Sequence, residues 1–261
     1  MQKDNLYLQI KSAHSLLWNS LKNFGLEQNS ELDIFKTGLL GIEDSPITTK
    51  HGNLRAKQIS TNPAWCEKFY NWFSEANLKT GDNIFISSSS SFPGMLLSAL
   101  IAAENYGLDI KLCVSLGSSS WGANRPELLC SDMLNFFHAN NFIKTLPEFY
   151  TLGGINENGG GLSEQGIKIL SRVKKVFINK DLDEAVTIKL PFVKKSKLVI
   201  NIGGNASSMG QDFDALRISP GLVFKYSDEA GNGIAGFALK NNIPVIHVLK
   251  ILELAKICEI I

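Results

Sequence analysis

The sequence predicts a three-layer, doubly wound α/β fold built on a largely parallel sheet. Apolar stretches of strand length recur at residues 84–87, 110–116, 176–178, 198–202 and 245–248. Segments long enough for helices separate them, which requires parallel pairing through right-handed crossovers. Runs of serine, glycine and asparagine follow several of these stretches, where strands should give way to loops.

In chain order, Leu6, Ile10, Ala13, Leu17, Leu21 and Phe24 form the stripe of an amphipathic helix, and Gly25 suits its C-terminal cap. Residues 35–63 are expected to be irregular. Asn62 and Pro63 open a helix to about Asn77, residues 79–82 turn, and a buried strand follows at 84–87. Ser91-Phe92-Pro93 opens a helix that Gly107 ends, ahead of the strand 110–116. Asn124-Arg125-Pro126 is expected to open the next helix, with Leu129, Met133, Phe136 and Phe137 on one side. A glycine-rich loop at 153–161, with no clear strand before it, precedes a helix from Ser163 and the strand 176–178. A helix from about Asp181, the strand 198–202, a helix over 233–240, the strand 245–248 and a last helix complete the pattern. Residues 61–261 are expected to form one α/β domain, with residues 1–60 either an appendage or part of it.

Composition narrows the function classes. With 26 basic and 25 acidic residues the net charge is +1, so nothing global points to nucleic acid. The cluster Lys194, Lys195 and Lys197 reads as a solvated loop. Cys66, Cys113, Cys130 and Cys258 form no CxxC pair and the four histidines no HExxH, so neither a metal nor a cofactor is expected. Reduced thiols and a cytoplasmic setting are the default. No apolar stretch approaches the roughly 20 residues of a spanning helix, so the chain as it stands should be soluble. Membrane association would require an N-terminal anchor beyond the residues given.

In an open α/β sheet ligands bind in the crevice at the strand carboxyl ends. Four polar loops are placed there, at 87–94, 117–124, 201–208 and 153–161. The candidate ligand donors are Ser88, Ser89, Ser90 and Ser91, then Ser118, Ser119, Ser120, Trp121 and Asn124, then Gly204 and Asn205. Loops 87–94 and 117–124 are expected to run straight into helix N-termini, which favour anions. As turn formers and helix caps the same residues would need no ligand. Trp121 either walls a pocket or caps the core beneath its loop. Arg55 and Lys57 flank Ala56, so in extended chain both would point to one side and suit carboxylate or phosphate. The nucleophile elbow GxSxG is absent, yet Ser90 or Ser91 could pair with His247 at the end of a strand on the same edge. The run 231–236 matches GxGxxG only formally, since no strand precedes it, and Walker A does not occur.

Six blocks in order, from about residue 38 to 250, carry a family resemblance. They are LLGIEDSPITT (39–49), STNP (60–63), SFPG (91–94), SSWGAN (119–124), GLSEQG (161–166) and PVIHVL (244–249). On these the chain resembles the poly-gamma-glutamate system protein family, which accompanies the ligase and membrane proteins that make and export a bacterial capsule polymer. The resemblance implies an accessory role in that system, with a γ-glutamyl polymer or a phosphorylated intermediate as ligand and membrane proteins as partners. Family members often carry an N-terminal membrane anchor, and this sequence shows none. No catalytic residue is carried over. Three functions follow as expectations: an anion-binding accessory protein, a serine-dependent hydrolase or transferase acting on γ-glutamyl amides, or a scaffold docking membrane partners through its N-terminal helix.

Overall fold

The computed structural model describes residues 2–261 except Tyr226, Asp228 and Glu229, with side chains from Asn5 onward. Helix α1 (Gln2–Ser20) carries the apolar stripe, and Leu6, Ile10, Ala13 and Leu17 are all buried. A 3-10 turn, Leu21–Phe24, ends at Gly25, whose φ of 72° a side chain would oppose. The stripe packs into one core cluster with Trp65, Phe69, Trp72 and Phe73 of α3 (Ala64–Glu75) and with the apolar helix α4 (Pro93–Tyr106).

The stretch before α3 departs from the expected irregularity. The Asn53 side chain accepts from the Ala56 N–H at 2.9 Å and caps a short helix, α2 (Leu54–Ser60). Arg55 and Lys57 are therefore helical rather than extended. Two residues span about 200° of a helix, so Arg55 is exposed and Lys57 buried.

The main sheet is built from β1 (Asn83–Ser89), β2 (Asp109–Ser115), β5 (Phe149–Thr151), β6 (Val176–Phe177), β7 (Leu198–Ile202), β8 (Gly221–Val223) and β9 (Val245–Val248). Its order is β6-β5-β2-β1-β7-β9-β8, parallel except for the edge strand β8. From β1 the chain winds outward to β6, then returns to place β7 on the other side of β1. The order reverses between β1 and β7, and there the carboxyl ends part into a crevice.

Side-chain alternation assigns the two faces. Ile84, Ile86, Val114, Ile200 and Val248 meet α1, α3, α4 and α11 (Ile251–Ile257). Phe85, Cys113, Val199 and Val245 meet α8 (Leu190–Val193), α9 (Ala206–Met209) and α10 (Ile234–Lys240) on the other. Burying β1 on both faces is what a near-continuous apolar strand requires.

Two sequence expectations change. The segment after Asn124 forms a hairpin, β3 (Asn124–Arg125) with β4 (Leu128–Leu129), before α5 (Cys130–Ala139) begins. The 117–124 loop thus does not lead into a helix N-terminus. Pro126 sits in the turn, and Asp132 accepts from the Leu129 N–H at 2.8 Å to start α5. The glycine-rich loop does follow a strand, since Phe149–Thr151 pairs with β2 and leads into it. That strand is three residues long, too short for a periodic signal. Beyond the loop lie α6 (Glu164–Leu170) and α7 (Leu182–Thr187). In the formal GxGxxG run Gly233 caps α10, while Asp228 and Glu229 ahead of it lie outside the described residues.

Two buried histidines make stability pH-dependent. His14 in α1 has neither ring nitrogen partnered among the described residues, and burial pushes its pKa down to about 3. Burial likewise takes His247 down to about 4. Unfolding frees each ring to protonate near 6.5, so below that pH the unfolded chain binds more protons and stability falls with acid. Each histidine contributes a slope of up to about 1.4 kcal/mol per pH unit. Denaturant titrations between pH 6.5 and 5 should show this loss, with His14→Leu removing about half the slope. Parallel curves for the two proteins would contradict the assignment.

Candidate functional site

Loops from five strand ends and one strap from the N-terminal third enclose a cavity of about 630 Å³. The strap is residues 41–50, hydrogen-bonded along the loop after β2. Ser118 donates its N–H to Ile47, Thr49 to Ser118, Ser120 to Lys50 and Trp121 to Ile42. Asn124 closes this zipper: its side-chain oxygen accepts from the Ile42 N–H and its amide donates to the Ile42 carbonyl and to Thr48 Oγ1. These bonds give the segment an ordered course without regular secondary structure.

The loops themselves are clasped tightly. A Cβ on Gly122 would lie 2.3 Å from Ser118 Oγ and 2.8 Å from the Ser91 backbone, so only glycine lets the two serine loops meet. Gly122→Ala should cost about 1–3 kcal/mol of overpacking. The loss would be read as a shift in urea midpoint, and an unshifted midpoint would mean that the loops are not clasped there.

The cavity wall is basic and holds no carboxylate among the described residues. Lys50, His51, Lys57 and Lys250 line it with the hydroxyls of Thr49, Ser89, Ser91, Ser115 and Ser119 and the amides of Asn53, Asn156 and Asn205. Lys50, His51 and Lys250 are exposed at the mouth, while Lys57 is buried on the floor. Apolar side chains, Phe213 and Leu216 among them, complete the rim. A second, more open groove of about 550 Å³ runs past Tyr150, Arg172 and Lys175, but Asp132 in its wall offsets the basic groups.

Lys57 is the most unusual group. Its Nζ is within hydrogen-bond reach of the Ser91 carbonyl and, at 2.9 Å, of Ser119 Oγ, and lies 3.8 Å from the centroid of the Phe92 ring. Burial, and then the neighbouring Lys50 charge, hold its pKa well below the ordinary lysine range. No carboxylate pairs with it among the described residues.

Lys189, the other fully buried lysine, is the counter-example. It meets Glu157 Oε2 at 2.6 Å and Ser207 Oγ at 2.6 Å. Glu157 also accepts from Thr151 Oγ1 at 2.8 Å and from the Ser207 N–H at 2.8 Å. Burial alone would raise the Glu157 pKa, but Lys189 and these hydrogen bonds outweigh it and hold the carboxyl below its usual value. This paired cluster ties the 153–161 loop to the loop after β7, both of which wall the cavity.

Of the expected ligand donors, Lys57, Ser89, Ser91, Ser119, Gly204 and Asn205 line the cavity together. The others stand elsewhere. Ser88 points into the sheet, with its hydroxyl on the Ser89 carbonyl. Ser90 is fully buried and donates to the Ser115 carbonyl at 2.8 Å, while Ser118 donates to backbone carbonyls behind the wall. Ser120 and Asn124 hold the strap, Trp121 sits half-buried outside the cavity with φ 65°, and Arg55 faces solvent.

His247 pairs with neither Ser90 nor Ser91. In register it lies beside Asn201, whose amide is 3.1 Å from its Nδ1, on the face covered by α9 and α10. It sits inside β9 rather than at its end, so the pleat turns it away from the crevice. The buried thiols are also unsuited to nucleophilic work, since burial pushes Cys66, Cys113 and Cys130 up to about 12.

The cavity groups that sequence reasoning missed were partly within reach. Lys250 and Leu249 follow directly on β9, where the carboxyl-edge rule places ligand groups. Lys50 and His51 gave no such signal, because the zipper bonds that bring them over the crevice are backbone contacts about 70 residues apart in sequence. No helix among the described residues is long and apolar enough to cross a membrane, and no group of three or more His, Cys, Asp or Glu could hold a metal. Comparison with known proteins finds no matching family model, no matching characterised sequence and no matching solved structure.

Proposed function

We propose that this chain is an accessory protein of a poly-γ-glutamate system and binds an anionic γ-glutamyl ligand in the cavity at the β1–β7 crevice. The single observation behind the anionic ligand is the wall itself, with the exposed Lys50 and Lys250 at its mouth and no carboxylate among the described residues. An unbalanced positive site focuses anions, and its rim cations stay hydrated until one arrives. The hydroxyls and amides between them suit carboxylate oxygens, and the apolar rim suits the methylenes of a glutamate side chain. The γ-glutamyl identity is supported by the six sequence blocks from residue 39 to 249. Docking through α1 is the weaker reading, since the apolar stripe of α1 is consumed by its own core.

Calorimetry with poly-γ-glutamate of defined length, at 50 and 300 mM salt, tests the proposal. Binding that weakens with salt is expected, because screening acts on the exposed Lys50 and Lys250. No heat at either salt, with a small phosphorylated ligand equally silent, would remove the anionic-ligand reading.

A further inference from the structure

We propose that Ser119 is a nucleophile and Lys57 its general base, so that the floor of the cavity cleaves γ-glutamyl amide bonds. The inference rests on the anionic-ligand reading for its substrate, and on geometry for its chemistry. Ser119 Oγ lines the cavity and has Lys57 Nζ, at 2.9 Å, as its only hydrogen-bond partner among the described residues. Every other serine hydroxyl in the wall is occupied by or tied to a serine or threonine neighbour. Ser89 Oγ donates to Ser91 Oγ at 3.0 Å, and Thr151 Oγ1 donates to Ser115 Oγ at 3.1 Å.

The surroundings fix both partners. Ser91 accepts on its carbonyl from Lys57 and on its hydroxyl from the Ser119 N–H at 3.0 Å, so one residue positions base and nucleophile together. Burial without a carboxylate partner among the described residues favours the neutral amine of Lys57. Neutral Lys57 keeps one N–H on the Ser91 carbonyl and turns its lone pair to the Ser119 hydroxyl, which then donates. This is the requirement for a lysine base.

The reaction balances as a hydrolysis. Ser119 Oγ attacks the amide carbonyl carbon while Lys57 takes the hydroxyl proton. The C–N bond breaks as Lys57 returns that proton to the leaving nitrogen, leaving an ester on Ser119 and a free amine. Water then attacks the ester, Lys57 carries its proton to Ser119 Oγ, and a carboxylic acid departs. Lys50 and Lys250 at the mouth hold the substrate carboxylates during both halves.

Two probes on the folded protein test this: an alkyl fluorophosphonate, located by peptide mass spectrometry, and γ-glutamyl-p-nitroanilide, followed by release of p-nitroaniline. The adduct is expected on Ser119, with labelling at least 100-fold slower in Lys57→Met, as loss of a general base implies. The wild-type labelling rate should reach half its maximum well below pH 10. Release of p-nitroaniline should vanish in Ser119→Ala, a variant that removes one oxygen and leaves every backbone bond in place. An adduct on another serine, labelling indifferent to Lys57→Met, or neither adduct nor release in folded protein overturns the proposal. Poly-γ-glutamate binding without labelling overturns the chemistry alone, and labelling without polymer binding overturns the ligand reading alone.

Discussion

Glu157→Gln is expected to lower the unfolding free energy by about 3–5 kcal/mol, the range found when one partner of a buried ion pair is removed. Glu157 and Lys189 are both essentially inaccessible to water, so neither charge can be solvated once the other is gone. The carboxylate also accepts from Thr151 and the Ser207 backbone, and glutamine can serve at most part of that set. Because Glu157 and Lys189 both bond Ser207 and so tie the 153–161 loop to the segment after β7, ligand affinity should fall with stability. Urea unfolding of Glu157→Gln, Lys189→Met and the double variant forms a complete cycle. The double variant should recover part of the loss, since neither glutamine nor methionine leaves an unpaired charge to bury. A single-variant cost under 1 kcal/mol would mean that the cluster is hydrated and does not hold the wall.

Lys50→Gln/Lys250→Gln is expected to weaken poly-γ-glutamate binding about 30-fold while leaving stability within about 0.5 kcal/mol of wild type. Both ammonium groups are exposed, so each contact with a ligand carboxylate is worth about 1 kcal/mol, and two together give that factor. The salt dependence should flatten in the same variant. Glutamine is chosen at position 250 because its backbone sits at φ 49°, where glycine would relax the chain and confuse the comparison. Calorimetry of both proteins at two salt concentrations checks the point. Equal affinities would place the ligand away from the cavity mouth.

The core of the fold was legible in the sequence because burial on both sheet faces leaves near-continuous apolar strands, as at 84–86 and 198–200. The crevice followed from the carboxyl-edge rule. Within it, Ser91, Ser119 and Asn205 line the cavity because they lie two to four residues past a strand, where a loop must cross the edge. Ser88 and His247 were misplaced for one reason: a residue inside a strand end points into a layer, not over the edge. Ser90 and Ser118 fail differently, since consecutive serines in a tight loop alternate between the cavity and the backbone behind it. The Arg55–Lys57 reading foundered on a single side-chain cap at Asn53, which turns seven residues from extended to helical. Glu157 and Lys189 gave no sequence signal, being 32 positions apart and joined only by the fold.

Amide hydrogen exchange with and without a γ-glutamyl oligomer tests the central claim most directly, because it asks where the ligand sits. Protection is expected at residues 50–53, 204–206 and 249–251, whose amides surround the basic cavity. Protection confined to the groove past Tyr150, Arg172 and Lys175, or absent from the cavity loops while the oligomer is bound, would contradict it.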